Sequence, residues 1–316
     1  MITMTDMRTE FVTAAEELLD SDPLSAVVLA EISADLFAKA AARHPDRVLN
    51  VGIREQLMVS VGGGLALAGL KPIVHSYAPF LVSRAYEQVK LDLGHQDAHA
   101  VLVSVGASFD TARGGRTHQA PEDVALLDAV PGFAIHVPGH PDEIPALLTD
   151  AVTELSGPAG HSSYIRLSVM ANREPFGGTA VPAPVSGSGT LRVIRPGNRA
   201  VVIAVGPMLD PVLEAARDLD VAVAYTNTIR PFDTAGLRSL LDSATTETAV
   251  LVEPYLAGTS ARVVSEALAT RPHRLLSLGV PRIELRRYGT PEDHARLYGL
   301  DAPGIRRSIS EFLAAS

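Results

Sequence analysis

Residues 48–70, VLNVGIREQLMVSVGGGLALAGL, carry the reading on which the fold depends. The stretch passes from a strand-like run, VLNVG, into a helical pattern that is apolar on nearly every face. A helix of that kind belongs inside a layered protein, packed against a sheet. Glu55 is the only carboxylate in the stretch and stands near the helix start, where it feels both the low dielectric of burial and the helix dipole. Capping and chemistry are both open to it on spacing alone. Gly62, Gly63 and Gly64 are expected to permit close backbone packing.

Outward from this stretch, short apolar runs alternate with helical patterns: AVVLA (26–30), PIVHSY (72–77), AVLVSV (100–105) and FAIHV (133–137). This is the βα rhythm of a parallel sheet covered on both faces. An amphipathic N-terminal segment places Phe11, Ala14, Leu18 and Leu19 on one stripe. Residues 171–198 are dense in Pro, Gly and Ser, as expected of an exposed connection, so a boundary falls near 175–190. The alternation then restarts with AVVIAVG (200–206), VAVAYT (221–226), AVLVEP (249–254) and RLLSLGV (274–280). The expected fold class is two consecutive α/β domains with mainly parallel sheets, 1–180 and 190–316.

Composition narrows the function. Acids outnumber bases 36 to 27 for a net charge of −9, with no run of like charge to mark a nucleic-acid surface. The absence of cysteine excludes disulfides, thiolate metal sites and a cysteine nucleophile. The start MITMTDMRTE is too charged for a signal peptide and no 18-residue apolar run occurs, so a cytoplasmic protein with no membrane partner is expected. Neither a P-loop nor a GxGxxG between strand and helix is present, and SGSGT (186–190) lies in the connection rather than at a nucleophile elbow.

Other residues suit chemistry. His118 follows the Gly114-Gly115 turn and precedes a helix expected from Pro121; its imidazole suits proton transfer, although a loop histidine also serves as a plain hydrogen-bonding group. Arg113 and Arg116 flank it and are candidates to grip an anion in bidentate fashion. Tyr77 and Phe80 end a strand, where open α/β sheets bind ligands, and Arg84 follows. His95 and His99 have the i, i+4 spacing of a metal pair but no third ligand, so no metal is assigned to this chain.

In their order, VLNVGIREQLMVSVGGGLALAG, SYAPFLVSRAYEQV, GRTHQAPEDVALLDAVPG, AVVIAVGPMLDPVLEAA, TIRPFD and AVLVEPY resemble the C-terminal half of the transketolase family. The resemblance spans nearly the whole chain. It implies thiamine diphosphate bound between two α/β domains, with this chain supplying the aminopyrimidine domain and the C-terminal domain. The family's diphosphate half carries Gly-Asp-Gly, which is absent here. The resemblance therefore implies a split transketolase whose N-terminal partner subunit holds the diphosphate and Mg2+ or another divalent metal, in an α2β2 assembly. The implied reaction moves a two-carbon ketol unit from a ketose to an aldehyde.

Residue by residue, the resemblance makes Glu55 the hydrogen-bond partner of N1′ of the aminopyrimidine. Tyr77 and Phe80 become its aromatic neighbours, with Arg84 beside them, and Glu31 in VLAEIS a further cofactor contact. His118 becomes the histidine at the donor oxygens. The chain departs from the family pattern at Gly114, where an Asp is usual, at Gly106-Ala107 in place of a His, and at Val169 in place of an Arg. Each lost hydrogen bond is worth about 1–3 kcal/mol, so Arg113, Arg116 or Arg166 is expected to restore any phosphate binding. Two other readings remain: a beta subunit of a 2-oxo-acid dehydrogenase-like enzyme that hands the unit to a carrier thiol, and a non-catalytic assembly subunit.

Overall fold

The computed structural model describes residues 6–156, 160–175, 179–180, 190–244 and 247–315; most of the Pro/Gly/Ser connection, including nearly all of SGSGT, lies outside them. Each apolar run becomes a strand. The first sheet holds β1 (Ser25–Leu29), β2 (Val48–Asn50), β3 (Lys71–Tyr77), β4 (Val101–Val105), β5 (Phe133–His136) and β6 (Ser162–Arg166). Later in the chain come β7 (Thr179–Ala180), β8 (Arg192–Arg195), β9 (Val201–Val205), β10 (Ala222–Thr226), β11 (Thr228–Arg230), β12 (Thr248–Leu256) and β13 (Arg274–Val280). The strand orders are β11-β5-β6-β4-β3-β1-β2 and β13-β12-β9-β10-β8-β7. The first sheet is parallel except for β11, which runs antiparallel to β5 and reaches back from beyond the connection.

Two helices flank the start of that sheet. Helix α1 (Met7–Ser21) is capped by the Asp6 side chain, which accepts from Thr9 N at 2.8 Å. Its stripe of Phe11, Ala14, Ala15 and Leu19 is buried in one cluster with Ile144 and Leu148 of the helix Ile144–Glu154, whereas Leu18 is only partly covered. Helix α2 (Ala38–Arg43) follows β1. Helix α3 (Glu55–Leu67) is the one read first, and it packs Met58, Val59, Gly62 and Gly63 inward. A Cβ on Gly62 would stand 2.7 Å from Val74 Cγ2, and one on Gly63 2.8 Å from the Asp92 carbonyl. Gly64 differs from the expectation: nothing lies within 4 Å of its missing Cβ, so it needs no close approach.

His95 ends a wide helical turn at Val89–His95 and His99 lies beyond it, so their spacing does not put them on one helix face. Among the described residues no helix is long and apolar enough to cross a membrane.

Candidate active site

The order β4-β3-β1-β2 makes β1 and β3 neighbours while β2 lies on the far side of β1. The connections thus reverse direction between β1 and β3, opening a crevice at their carboxyl ends, where open α/β sheets take ligands. Glu31 follows β1 there, with φ of 67° in the left-handed region, and exchanges hydrogen bonds with the Asn50 side chain at 3.1 and 3.2 Å. A left-handed non-glycine at a sheet's ligand end is the kind of strain that functional sites retain. Tyr77 ends β3 at the same edge, and Phe80 lies on the wide turn Pro79–Arg84 that follows.

Glu55 is the first residue of α3 and is 1% exposed. Its Oε2 accepts from Arg84 Nη1 at 2.8 Å. The Arg84 guanidinium stands 4.2 Å from the centre of the Phe80 ring, so it bridges a buried acid and an aromatic face. His118 meets Phe80 and Tyr77 edge to face, with centroids at 5.2 and 5.9 Å. Phe80, Arg84, Arg116, Thr117 and Glu122 line an open groove of about 520 Å³ beside these groups. The fold thus brings together Glu55, Tyr77, Phe80, Arg84 and His118, residues spread over more than sixty positions in sequence.

The arginines divide. Arg166 is 1% exposed; its Nε donates to Asp123 Oδ2 at 2.7 Å and its Nη2 to Ser108 Oγ at 2.7 Å. The guanidinium is enclosed and engaged, which opposes the expected role toward a substrate phosphate. Arg116 is held by Glu284 at 3.0 Å, the Gln119 carbonyl at 2.7 Å and Glu122 at 3.4 Å, which opposes the expected two-pronged grip on an anion. Arg113 is exposed on the same loop.

Sequence reasoning missed a second pocket, about 260 Å³, that adjoins the aromatic wall through Tyr77. Gly106, Thr111, Ser168 and Val169 line it together with Asp6 and Arg8. Arg8 is half-buried, with Nε donating to Ser33 Oγ at 2.9 Å. Nothing in the amphipathic pattern of α1 singled it out. Behind the pocket, Asp110 ties two loops together by accepting from Ala107 N, Val169 N and Ser168 Oγ at 3.0–3.1 Å. Burial pushes its carboxyl up to about 6.

Comparison with known proteins identifies the family. The chain matches the family model described as transketolase, pyrimidine binding domain, over residues 3–171, and that of the transketolase C-terminal domain over residues 189–305. An uncharacterized 33.6 kDa protein in the fasciation locus of Rhodococcoides fascians is 49% identical, covering 98% of this chain and 95% of that protein. A 1-deoxy-D-xylulose-5-phosphate synthase of Chlorobium luteolum is 32% identical over 95% of this chain but 47% of its own length. The chain spans about half the length of that synthase. Among solved structures, a split gene transketolase, described as an inactive beta4 tetramer, superposes with a TM-score of 0.82 at 24% identity over 99% of both chains. Transketolase from Leishmania mexicana gives 0.76 at 19% identity, covering 99% of this chain and 47% of that one. At such identities the likeness speaks for the fold alone. Both family matches lie in the order expected from the sequence and together cover most of the chain, which therefore belongs to the transketolase family and comprises its pyrimidine-binding and C-terminal domains.

Proposed function

We propose that the chain is the C-terminal subunit of a split, thiamine-diphosphate-dependent enzyme that moves a two-carbon ketol unit from a ketose donor to an aldehyde-type acceptor. The observation that carries this reading is the buried Glu55 carboxylate directly behind Arg84 and Phe80 at the switch point of a parallel sheet. The residues fit the aminopyrimidine end of the cofactor: a carboxyl to hold the ring nitrogen N1′, and aromatic edges to orient a flat ring without charge. When bound, thiamine diphosphate supplies the electron sink for breaking the donor's carbon–carbon bond.

Glu55 holds a proton at N1′, and Arg84 fixes the carboxylate in place. Tyr77 and Phe80 orient the ring, and Glu31 bounds the crevice from the β1 side. His118 holds or moves a proton at the donor oxygens. Arg8, which lines the second pocket with Gly106 and Val169, and the exposed Arg113 take the anionic end of a phosphorylated donor. They do so in place of the His and Arg that the family pattern has where this chain has Gly106-Ala107 and Val169. The diphosphate and its divalent metal, Mg2+ by preference, are held by an N-terminal partner subunit in an α2β2 assembly. Support for a separate partner comes from the Rhodococcoides fascians protein, matched along nearly its whole length, and from the split-gene neighbour.

The test is reconstitution with a partner chain bearing Gly-Asp-Gly and a downstream Asn, using xylulose 5-phosphate and an aldehyde, with products read by mass spectrometry. Glu55→Ala is expected to lower turnover by at least about 100-fold with subunit association intact. Unchanged turnover overturns the assignment. The 1-deoxy-D-xylulose-5-phosphate synthase relatives favour a second reading. Running the same product analysis with pyruvate in place of the ketose separates the two, since a 1-deoxy sugar formed from it lacks the C1 hydroxyl that a transferred ketol unit keeps.

A further inference from the structure

The loop at 281–290, PRIELRRYGT, joins β13 to the helix Pro291–Tyr298 in the C-terminal domain. Leu285 anchors it at 2% exposure, while Tyr288 is 72% exposed. Despite that exposure, the loop touches the His118 segment at three points. Arg116 Nε donates to Glu284 Oε1 at 3.0 Å, and Gln119 Nε2 donates to the Arg287 carbonyl at 3.2 Å. A Cβ built on Gly115 would stand 2.7 Å from Tyr288 Cε1, so the tyrosine ring occupies the space where a side chain at 115 would begin. Gly115 also has φ of 70°, so glycine is required there on two counts.

The next residue toward the N-terminus faces the other way. A Cβ on Gly114 would lie 2.8 Å from His118 Cγ, 2.9 Å from Nδ1 and 3.0 Å from Cβ. Contact with the imidazole, not a left-handed backbone, demands glycine at 114. The imidazole also meets Phe80 and Tyr77 edge to face. Contacts thus run from Tyr288 to Gly115, from Gly114 to the His118 ring, and from that ring to Phe80 and Tyr77. With the imidazole where it stands, the aspartate of the family pattern has no room at 114.

We infer that Tyr288 and Gly114 are positioning residues that fix the His118 imidazole: Tyr288 braces the loop backbone from the C-terminal domain, and the missing side chain at 114 lets the ring lean onto that backbone. This deepens the proposed function, because it rests on His118 acting at the donor. It gives the departure at Gly114 a positive role, in that a contact to substrate is exchanged for a different stance of the proton-handling group.

The test uses the full chain without cofactor or partner, so it does not depend on turnover. Diethyl pyrocarbonate modification of His118 is followed by mass spectrometry, with the half-buried His99 and His161 as internal references. Tyr288→Ala and Gly114→Ala are each expected to change the His118 rate by roughly three- to tenfold, as a loosened loop or displaced ring alters access, while the reference histidines stay within error. Tyr288→Phe, which keeps the ring, should restore the original rate. Unchanged His118 rates in both alanine variants overturn the inference, as does a Tyr288→Phe rate equal to that of Tyr288→Ala. Should Tyr288→Ala unfold, Gly114→Ala decides alone. A shifted His118 rate combined with normal turnover of His118→Ala in the reconstituted pair would leave the brace standing and remove the catalytic reading.

Discussion

Replacing Asp123 by alanine separates a structural arginine from a substrate-binding one. Asp123 is fully buried and its Oδ2 accepts from Arg166 Nε at 2.7 Å and from the Tyr164 hydroxyl at 2.8 Å. Arg166 also has the Ser108 hydroxyl, at 2.7 Å, the Tyr255 ring, 5.5 Å away, and a longer-range charge interaction with Asp110. Removing the carboxylate strands a guanidinium that is 1% exposed, and an orphaned buried charge of this kind costs about 3–5 kcal/mol. Tyr164 keeps Ser104 Oγ at 2.7 Å and adds little to that sum. A chain of two domains need not melt in one step, so the assay is urea unfolding followed domain by domain. The cycle adds Arg166→Met and the double variant. Each single change leaves an unpaired charge that the double change does not, so the coupling should exceed about 1.5 kcal/mol in favour of the double variant. If Arg166→Met cost less than about 1 kcal/mol yet raised KM for a phosphorylated donor, Arg166 would be a substrate group and its structural role would be refuted.

Further outcomes are expected. Gly62→Ala should destabilise by about 1–3 kcal/mol because its Cβ meets Val74 Cγ2 at 2.7 Å, whereas Gly64→Ala, with open space, should stabilise the isolated chain by about 0.5–1 kcal/mol; equal urea midpoints for the two would contradict the packing of α3. Burial pushes the Glu253 carboxyl up to about 7 from 4.5. The folded chain then binds more protons than the unfolded one between those values. The contribution of Glu253 to stability is therefore full below about pH 4.5 and falls as pH rises through about 7. Glu253→Gln should flatten that slope in thermal melts between pH 5 and 7, and an unaltered slope would assign it to other groups. Calorimetry should find weak thiamine diphosphate binding by the chain alone and tight binding once the partner is added; tight binding without it contradicts the split-subunit proposal.

Most strands were legible because they are short, largely apolar runs, and the exceptions show what such runs conceal. β6, SSYIR, is buried at every position yet reads as polar. Its Tyr164 and Arg166 are satisfied by Ser104, Ser108 and Asp123, residues 41–60 positions away that no local pattern identifies. The buried partners of Arg166, which oppose its expected role toward substrate, were hidden by the same long-range pairing. Glu55 was legible because a lone acid in an apolar helix is costly to bury and stands out against its neighbours. Its bond to Arg84, 29 residues on, was not. Tyr288 escaped notice because an exposed loop tyrosine means nothing until the loop it touches is known. Arg8 lies on the helix face that the amphipathic stripe leaves undefined.

The strand β11 also bears on how the chain is made. It pairs with β5, and its Thr228 meets His136 from 92 positions downstream. At about 5–20 residues per second, the ribosome leaves the edge of β5 uncovered for roughly 5–20 s after it emerges. A bare strand edge is a template for pairing with another nascent chain. The two halves, contiguous as they are along the sequence, therefore mature together, and severing them at the connection would leave the first with an open seam.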